Sequence, residues 1–585
     1  MRKLYNTFIR LFPYLHRYRR KLMIGILFIV LGNGIGVLNP RVVQQAIDYL
    51  SEDIEVGQLL IYAGMVILIA SAQGLFRFLM RQTVIVGSRQ IENDFRNDLF
   101  AHLQKMSARF FQSMPTGDIM SRMTNDLNAV RSVLGPGIMY SINTVVTFMF
   151  VIWMMLTISL RLTLIGLVPI PIMAFFVYRF GMKIHERYKK IQAHFSKIST
   201  KAQENLAGIR IVKSYVQEES EIEDFNLLNR EYIEKNMAFV KVYAAFHPMM
   251  MFIVGIGVVL VLLVGGMLIV QNTITLGEFV AFSLYQAMLV WPSIALGWVV
   301  GIFQQGAASM ERINDILDQA PDIADGSSAK KIDTICGEIR FSGLSFSYAP
   351  DAPGVLEDVS FHVAPGKILA IVGRTGSGKS TIMNLLTRTY NPPRGTVFID
   401  GHDILDIPLF TLRQHIGYIP QETFLFSESI VENLVFGIES VDQKTIETAA
   451  VYAEIHESIL EFPDKYDTLL GERGINLSGG QKQRISLARA IIRAPKILLL
   501  DDALSAVDTL TEEKILQNLK KVMENKTCVW ISHRISAIKN ADYTIVLDNG
   551  RIIEEGTHDE LLAIGGVYSD LYEKQQLEEQ LDLVE

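Results

Sequence analysis

Six stretches of this chain, 22–40, 59–76, 132–160, 162–178, 242–277 and 279–310, contain no Asp, Glu, Lys or Arg. Each has room for the run of about 20 apolar residues that a helix needs to cross a hydrocarbon core. The pattern therefore predicts six membrane-spanning helices. No signal-peptide cleavage pattern precedes the first, so it is expected to be retained. The turns between the third and fourth spans, and between the fifth and sixth, are very short, whereas segments 77–131 and 179–241 are long, helical in character and rich in Lys and Arg. If each long segment is a pair of antiparallel helices extending the spans, half of the first projects roughly 40 Å at 1.5 Å per residue.

After residue 320 the pattern changes. The polar stretch "PDIADGSSAKKID" (321–333) reads as a linker, and short apolar runs then alternate with turns and amphipathic segments. "KILAIVGRTGSGKSTIMNLL" has the order strand, Gly-rich loop, helix, and "ILLLDDALSAVD" (497–508) is a buried strand ending in acids. The expected organisation is an interfacial elbow helix over 1–21, a membrane domain over 22–317, a linker over 318–337 and a soluble domain over 338–585. The fold class is an all-α six-helix membrane domain followed by an α/β P-loop domain.

Charge orients the spans. Arg2, Lys3, Arg10, Arg17, Arg19, Arg20 and Lys21 precede the first span without an acid among them, while "YLSEDIEVGQ", between spans one and two, is acidic. Lys and Arg mark the cytosolic side, so the N-terminus, both long segments and the soluble domain belong there, on a multi-pass protein of the plasma membrane. The aromatic and basic mixture of "MRKLYNTFIRLFPYLHRYRRKLM" suits an interfacial helix; a plain basic tail is the alternative.

Composition adds exclusions. The chain is 49% hydrophobic with a net charge of -7, which gives no reason to expect nucleic-acid binding. Its two cysteines, Cys336 and Cys528, both lie in the soluble half, so a disulfide framework is not expected and a reducing compartment fits. The spans hold no ionisable pair, which argues against proton-coupled transport. Phe148, Met149, Met154, Met249, Met250, Phe252, Tyr285, Gln286, Met288 and Trp291 are candidates for helix packing or for lining a cavity that takes apolar ligands.

The chemistry sits in the second half. Gly373, Arg374, Thr375, Gly376, Ser377, Gly378, Lys379 and Ser380 match G-x-x-x-x-G-K-[ST], with Thr381 next. Such a loop closes backbone amides around phosphates, Lys379 reaches the outer phosphates and Ser380 can ligate magnesium. Asp501, at a strand end about 120 residues on, is the expected magnesium-side carboxylate. Leu477, Ser478, Gly479, Gly480 and Gln481 form a second Gly-containing cradle at a helix start, without a Lys. Two cradles make sense if the second grips a nucleotide held by another copy.

In this order and spacing the residues resemble ATP-binding cassette (ABC) exporters of the multidrug half-transporter type, over essentially the whole chain. The resemblance implies ATP and Mg2+ as cofactors. It also implies Tyr348 in "FSY" as the aromatic on adenine, Gln421 in "IPQETFLF" as the loop glutamine near magnesium, and His533 in "ISHR" on the terminal phosphate. Glu472 in "GERG" and Asp508 in "SAVD" match family motifs as well. Leu477–Gln481 and Asp508 would contact the nucleotide bound to a partner. The segments 110–127 and 204–215 resemble the cytosolic loops whose short helices dock on cassettes.

One residue departs from the pattern. The family ordinarily has Glu, as base or water-positioning group, where this chain has Asp502. The shorter arm implies a site that binds ATP and hydrolyses it slowly, and hence a non-identical half-transporter partner, as in bacterial heterodimeric multidrug exporters. A homodimer in which Asp502 works at reduced rate is the simpler alternative. The expected cargo is apolar or amphipathic and includes drugs. Lipid or peptide export, or an ATP-gated channel or sensor on the same fold, are the other readings.

Overall fold

The computed structural model describes residues 7–50, 56–325, 332, 334–349, 352–471 and 474–582. Glu472 and part of the expected linker lie outside the described residues. The chain divides into two compact units, one of residues up to 104 with 115–319, the other of 105–114 with 320 onward.

Among the described residues of the first unit, six helical stretches are long and apolar enough to cross a membrane: Arg19–Leu50, Val56–Leu103, Thr116–Ile158, Leu160–Ala207, Glu218–Val270 and Leu276–Leu317. Their ends have local causes. Ser159 alone separates the third and fourth, and its hydroxyl caps the next helix by accepting from Leu162 N–H at 3.3 Å. The sixth starts with a capping box, in which Glu278 N–H donates to Thr275 Oγ1 and Thr275 N–H to Glu278 Oε2, both at 3.0 Å.

In lipid the hydrophobic effect does not hold helices to one another, so packing and polar contacts must. Asn33 Nδ2 donates to Asn143 Oδ1 at 2.9 Å and Thr147 Oγ1 to Asn33 Oδ1 at 2.8 Å, joining spans one and three. The Tyr285 hydroxyl donates to Val37 O at 2.9 Å, joining six to one. At the N-terminus, the short helix Phe12–Arg17 lies against the cytosolic extension of span two: Arg17 pairs with Asp94 at 3.0 Å, and Tyr18 donates to Asp94 at 2.9 Å.

Among its described residues the second unit is built on ten strands: β1 (Ile339–Phe346), β2 (Leu356–Val363), β3 (Ile368–Gly373), β4 (Val397–Ile399), β5 (His402–Asp403), β6 (Ile416–Ile419), β7 (Ile497–Asp501), β8 (Thr527–Ile531), β9 (Tyr543–Asp548) and β10 (Arg551–Gly556). They form an antiparallel sheet in the order β2-β1-β4-β5 and a six-stranded sheet in the order β10-β9-β3-β8-β7-β6. In the larger sheet only β10 runs antiparallel. Side chains alternate faces along a strand. Ala370 and Val372 of β3, with Leu498 and Leu500 of β7, accordingly enter one core. Leu369, Ile371, Ile497 and Leu499 enter the other. Both faces are covered, which is why these strands read as continuous apolar runs.

One carboxylate anchors the segment that leads into β1. Asp400 Oδ2 accepts from Cys336 N–H at 2.6 Å, and its Oδ1 accepts from Gly337 and Glu338 N–H at 2.9 and 2.8 Å. Residue 400 is left-handed at φ 51°, a conformation that Asp and Asn tolerate best among residues with a Cβ. Asp400→Ala should therefore lower stability by about 1.5–3 kcal/mol, the scale of hydrogen bonds to a charged group. Asp400→Asn, which keeps an acceptor and the backbone preference, should lose less; thermal unfolding of the purified protein measures both.

Candidate functional site

Three adjacent parallel strands bring the predicted residues together. The order β3-β8-β7 pairs Ile371 with Ile531 and Ile531 with Asp501. The Gly-rich loop, His533 and the Asp501–Asp502 pair thus leave the sheet at the C-terminal ends of neighbouring strands, where ligands of open parallel sheets bind. Gln421 follows β6 at the same end and is exposed.

The loop needs its glycines. A Cβ at Gly373 would lie 2.0 Å from Leu547 O, and one at Gly378 2.7 Å from Leu356 Cδ2, with φ at 150° and 100° respectively. Lys379 Nζ donates to Gly373 O at 2.9 Å and to Arg374 O at 2.8 Å, bracing the loop. The Ser377 Oγ is buried without a hydrogen-bond partner, although buried hydroxyls are ordinarily satisfied. An orphaned hydroxyl inside the Gly-rich loop, beside a buried ammonium, fits a phosphate-bearing ligand.

Burial pushes the Lys379 ammonium below its ordinary pKa, against the pull of Asp501 and Asp502. Burial likewise pushes the Asp501 carboxyl up, opposed by a hydrogen bond from Ser380. Ser380 and Asp501 thus offer a hydroxyl and a carboxylate to the same place, a donor pair suited to magnesium held jointly with phosphate oxygens. Among the described residues no group of three or more His, Cys, Asp or Glu could hold a metal alone. Tyr348 shares a hydrogen bond of 3.0 Å with Thr381 Oγ1 at the start of the loop's helix, and its ring meets Tyr390 edge-on at 4.8 Å.

Asp502 adopts φ 48°, and its N–H donates to Ile531 O at 2.9 Å. With His533, Ser505, Ser532 and Glu512 it lines a cleft of about 80 Å3. Ser505 Oγ donates to Asp502 O at 3.1 Å and accepts from Gln483 Nε2 at 3.0 Å, while Gln483 Oε1 accepts from Ala506 N–H at 2.9 Å. Gln483 belongs to the helix Gly479–Ile492, so the 502–508 loop is fastened to that helix.

The helix is capped by Ser478. Gln481 N–H donates to Ser478 Oγ at 3.2 Å and Ser478 N–H to Gln481 Oε1 at 2.9 Å, so the Gln481 side chain turns back on its own backbone. A Cβ at Gly480 would lie 2.8 Å from Ala506 O. Leu477 is buried, whereas Ser478 and Gly479 are exposed at the helix start. Asp508 caps the following helix, accepting from Thr511 N–H at 3.0 Å; that amide and the Thr511 side chain hold its carboxyl below the usual range.

The two cytosolic loops differ. Lys105–Met114 belongs to the second unit. There Tyr390 OH donates to Gln112 Oε1 at 2.7 Å and Ser107 Oγ to Asp322 Oδ2 at 3.1 Å. In the other loop the short helix Ile209–Ser214 carries exposed Ile209 and Ile211 and is followed by exposed Tyr215 and Val216.

A second cavity, of about 110 Å3, lies among spans four, five and six. Span four breaks at Val168, ahead of Pro169 and near Pro171. Proline provides no N–H, so carbonyls at such a break lose helical partners. Gln286 Nε2 reaches Gly166 O at 3.4 Å, and Gln286, Ser283 and Ser293 are the cavity's polar side chains among apolar residues that include Met173 and Val254. Of the Met, aromatic and Gln positions singled out from the sequence, Gln286 alone lines this cavity; Met149, Phe252 and Trp291 are exposed on the helix surfaces, and Met250 and Tyr285 are buried in packing.

Residues 22–293 match the family described as ABC transporter transmembrane region, and residues 356–505 the family described as ABC transporter. A probable multidrug resistance ABC transporter ATP-binding/permease protein of Bacillus subtilis is 36% identical, with 96% of each chain covered. An ATP-dependent lipid A-core flippase of Syntrophus aciditrophicus is 35% identical over 85% of this chain and 82% of its own. A solved bacterial Atm1-family ABC exporter with ATP bound superposes with a TM-score of 0.79 at 28% identity, covering 95% of this chain and 98% of that one.

The orphaned Ser377 hydroxyl gives a test. Ser377→Ala removes a buried polar atom with no partner in the protein, so the melting temperature without nucleotide should stay level or rise. ATP affinity should fall by roughly tenfold, the scale of one hydrogen bond to a charged group; nucleotide titration of the melting temperature reads both effects.

Proposed function

That the chain belongs to the ABC transporter family, as an exporter half-transporter whose cytoplasmic ATPase domain drives transport across the plasma membrane, is the premise from which we propose a narrower role. It is one subunit of a heterodimeric exporter of apolar or amphipathic compounds, drugs among them. Its own ATP site is slow, and its Leu477–Gln481 and Asp508 complete the active site of a non-identical partner.

The observation that carries this reading is Asp502. It follows Asp501 at the end of β7 and faces the same cleft as His533. Its carboxylate stands one methylene nearer the backbone than a Glu would, a deficit of more than about 1 Å in reach; a misplacement of that order costs roughly 100-fold in rate. The remaining residues support binding: Lys379 and the loop amides would take the phosphates, Ser380, Asp501 and Gln421 would hold the magnesium, Tyr348 would support adenine and His533 would meet the terminal phosphate. Magnesium, when bound, neutralises phosphate charge. Two ATP molecules would clamp the paired cassettes and turn the spans outward, and hydrolysis at the partner-borne site would release them.

Apolar cargo has a candidate seat in the cavity among spans four to six, where Gln286 offers an amide in apolar surroundings. A homodimeric lipid exporter is the second reading, favoured by the likeness to a lipid A-core flippase.

The purified chain alone should hydrolyse ATP slowly, and Asp502→Glu should raise its rate by roughly 10- to 100-fold. Ordinary family rates from the unaltered chain, or no gain in the variant, would rule out the slow-site reading. Protein purified from its native membrane should carry a second half-transporter with Glu at the corresponding place. For the cargo seat, Gln286→Leu should raise the drug concentration giving half-maximal stimulation of ATPase by roughly threefold to tenfold, one neutral hydrogen bond.

A further inference from the structure

The last helix, Val567–Asp582, is held firmly at its start. Glu554 on β10 accepts from Val567 N–H at 2.5 Å and from Tyr568 N–H at 3.0 Å. These are two of the amides that a helix start leaves without partners, and a carboxylate there also meets the positive end of the helix dipole. Tyr568 is fully buried, its hydroxyl 2.7 Å from His558 Nδ1, and the His558 ring meets Tyr572 edge-on at 5.2 Å. Residues at i, i+4 and i+7 share a helix face. Tyr568, Tyr572 and Gln575 therefore form one stripe, with Tyr568 in the core, Tyr572 packed against it and the glutamine two turns on.

Gln575 spans the turn that follows β8. Its Oε1 accepts from Ile535 N–H at 2.8 Å, and its Nε2 donates to His533 O. One planar amide thus brackets residues 533 and 535. From the other side, Ser532 Oγ accepts from Arg534 N–H at 3.0 Å and donates to Arg534 O at the same distance, while the Arg534 guanidinium pairs with Glu512. The backbone on both sides of His533 is pinned, and its side chain is exposed.

We propose that Gln575 is a positioning residue for His533: the C-terminal helix, fixed by Glu554 and Tyr568, holds the turn so that the imidazole is presented to the terminal phosphate of the nucleotide on this chain. The proposal rests on the reading of His533 as the terminal-phosphate contact. It makes recognition of ATP over ADP depend on a residue that touches neither.

Binding of ATPγS and of ADP to the full-length protein tests this whether or not the site turns over. Gln575→Ala should weaken ATPγS binding roughly tenfold, the scale of one lost hydrogen bond to an ionised group, and leave ADP binding and the melting temperature near those of the unaltered protein. Gln575→Glu keeps the acceptor for Ile535 N–H but sets a carboxylate oxygen against His533 O, so it should show the same selective loss in a side chain of the same shape. His533→Ala should match both variants, and Gln575→Ala added to it should change nothing further. Equal losses for ATPγS and ADP, no loss, or losses that multiply in the double variant would overturn the proposal. If His533→Ala itself failed to distinguish the two nucleotides, the reading of His533 would fall and the proposal with it; selectivity in His533→Ala with indifference in Gln575→Ala would overturn the clasp alone.

Discussion

The site depends on the lateral hydrogen bonding of three parallel strands. Because β3, β8 and β7 are neighbours in register, the phosphate loop, the turn at His533 and the Asp501–Asp502 pair emerge side by side at strand spacings of roughly 4.8 Å. No single side chain creates this arrangement. It follows from burying both faces of a sheet whose strands are nearly all apolar, so the cores that stabilise the cassette also set the distances on which chemistry depends. Asp501 shows the cost at the boundary: it is the last residue of a wholly buried strand, and burial raises its pKa until a hydroxyl, a metal or a phosphate-bound cation compensates.

What could be read from the chain alone divides along physical lines. The spans and the phosphate loop were legible because each is a local pattern, a charge-free run or a glycine spacing that suffices to define its own backbone. Facing within the membrane was not. A helix apolar all round carries no stripe to show which side meets its neighbours, so Met149, Phe252 and Trp291 look no different in sequence from Gln286, although the first three are exposed on the chain's surface and only the last lines the cavity. For Lys105–Met114 no local pattern shows membership of the cassette unit, which only the resemblance over 110–127 pointed toward, since Gln112 meets Tyr390 some 278 residues away. Gln575 is a more extreme case: its partners lie 40 and 42 residues back, and nothing in "LYEKQQLEEQ" distinguishes it from the glutamine beside it.

The backbone at residue 502 bears on why an Asp can stand there at all. At φ 48° most residues with a Cβ are strained, and Asp is among the few that tolerate the conformation. A Glu in the same place gains reach and gives up that tolerance. Strain and reach thus oppose each other at this position, and shortening the arm relaxes the backbone. An Asp can therefore stand here without a stability deficit.

The Leu477–Gln481 segment is insulated from the residue-502 side chain by the way the loop is fastened. The link from the 502–508 loop to the helix Gly479–Ile492 runs through the carbonyl of Asp502, the Ser505 hydroxyl and the Gln483 amide, and includes no atom of the Asp502 side chain. Shortening that side chain leaves the link untouched, and the capping of Ser478 and Asp508 is set by their own helices. The geometry of the Gly479–Ile492 helix start and the length of the side chain at residue 502 are consequently separable properties of one domain, so a change of one methylene in the second leaves the first undisturbed.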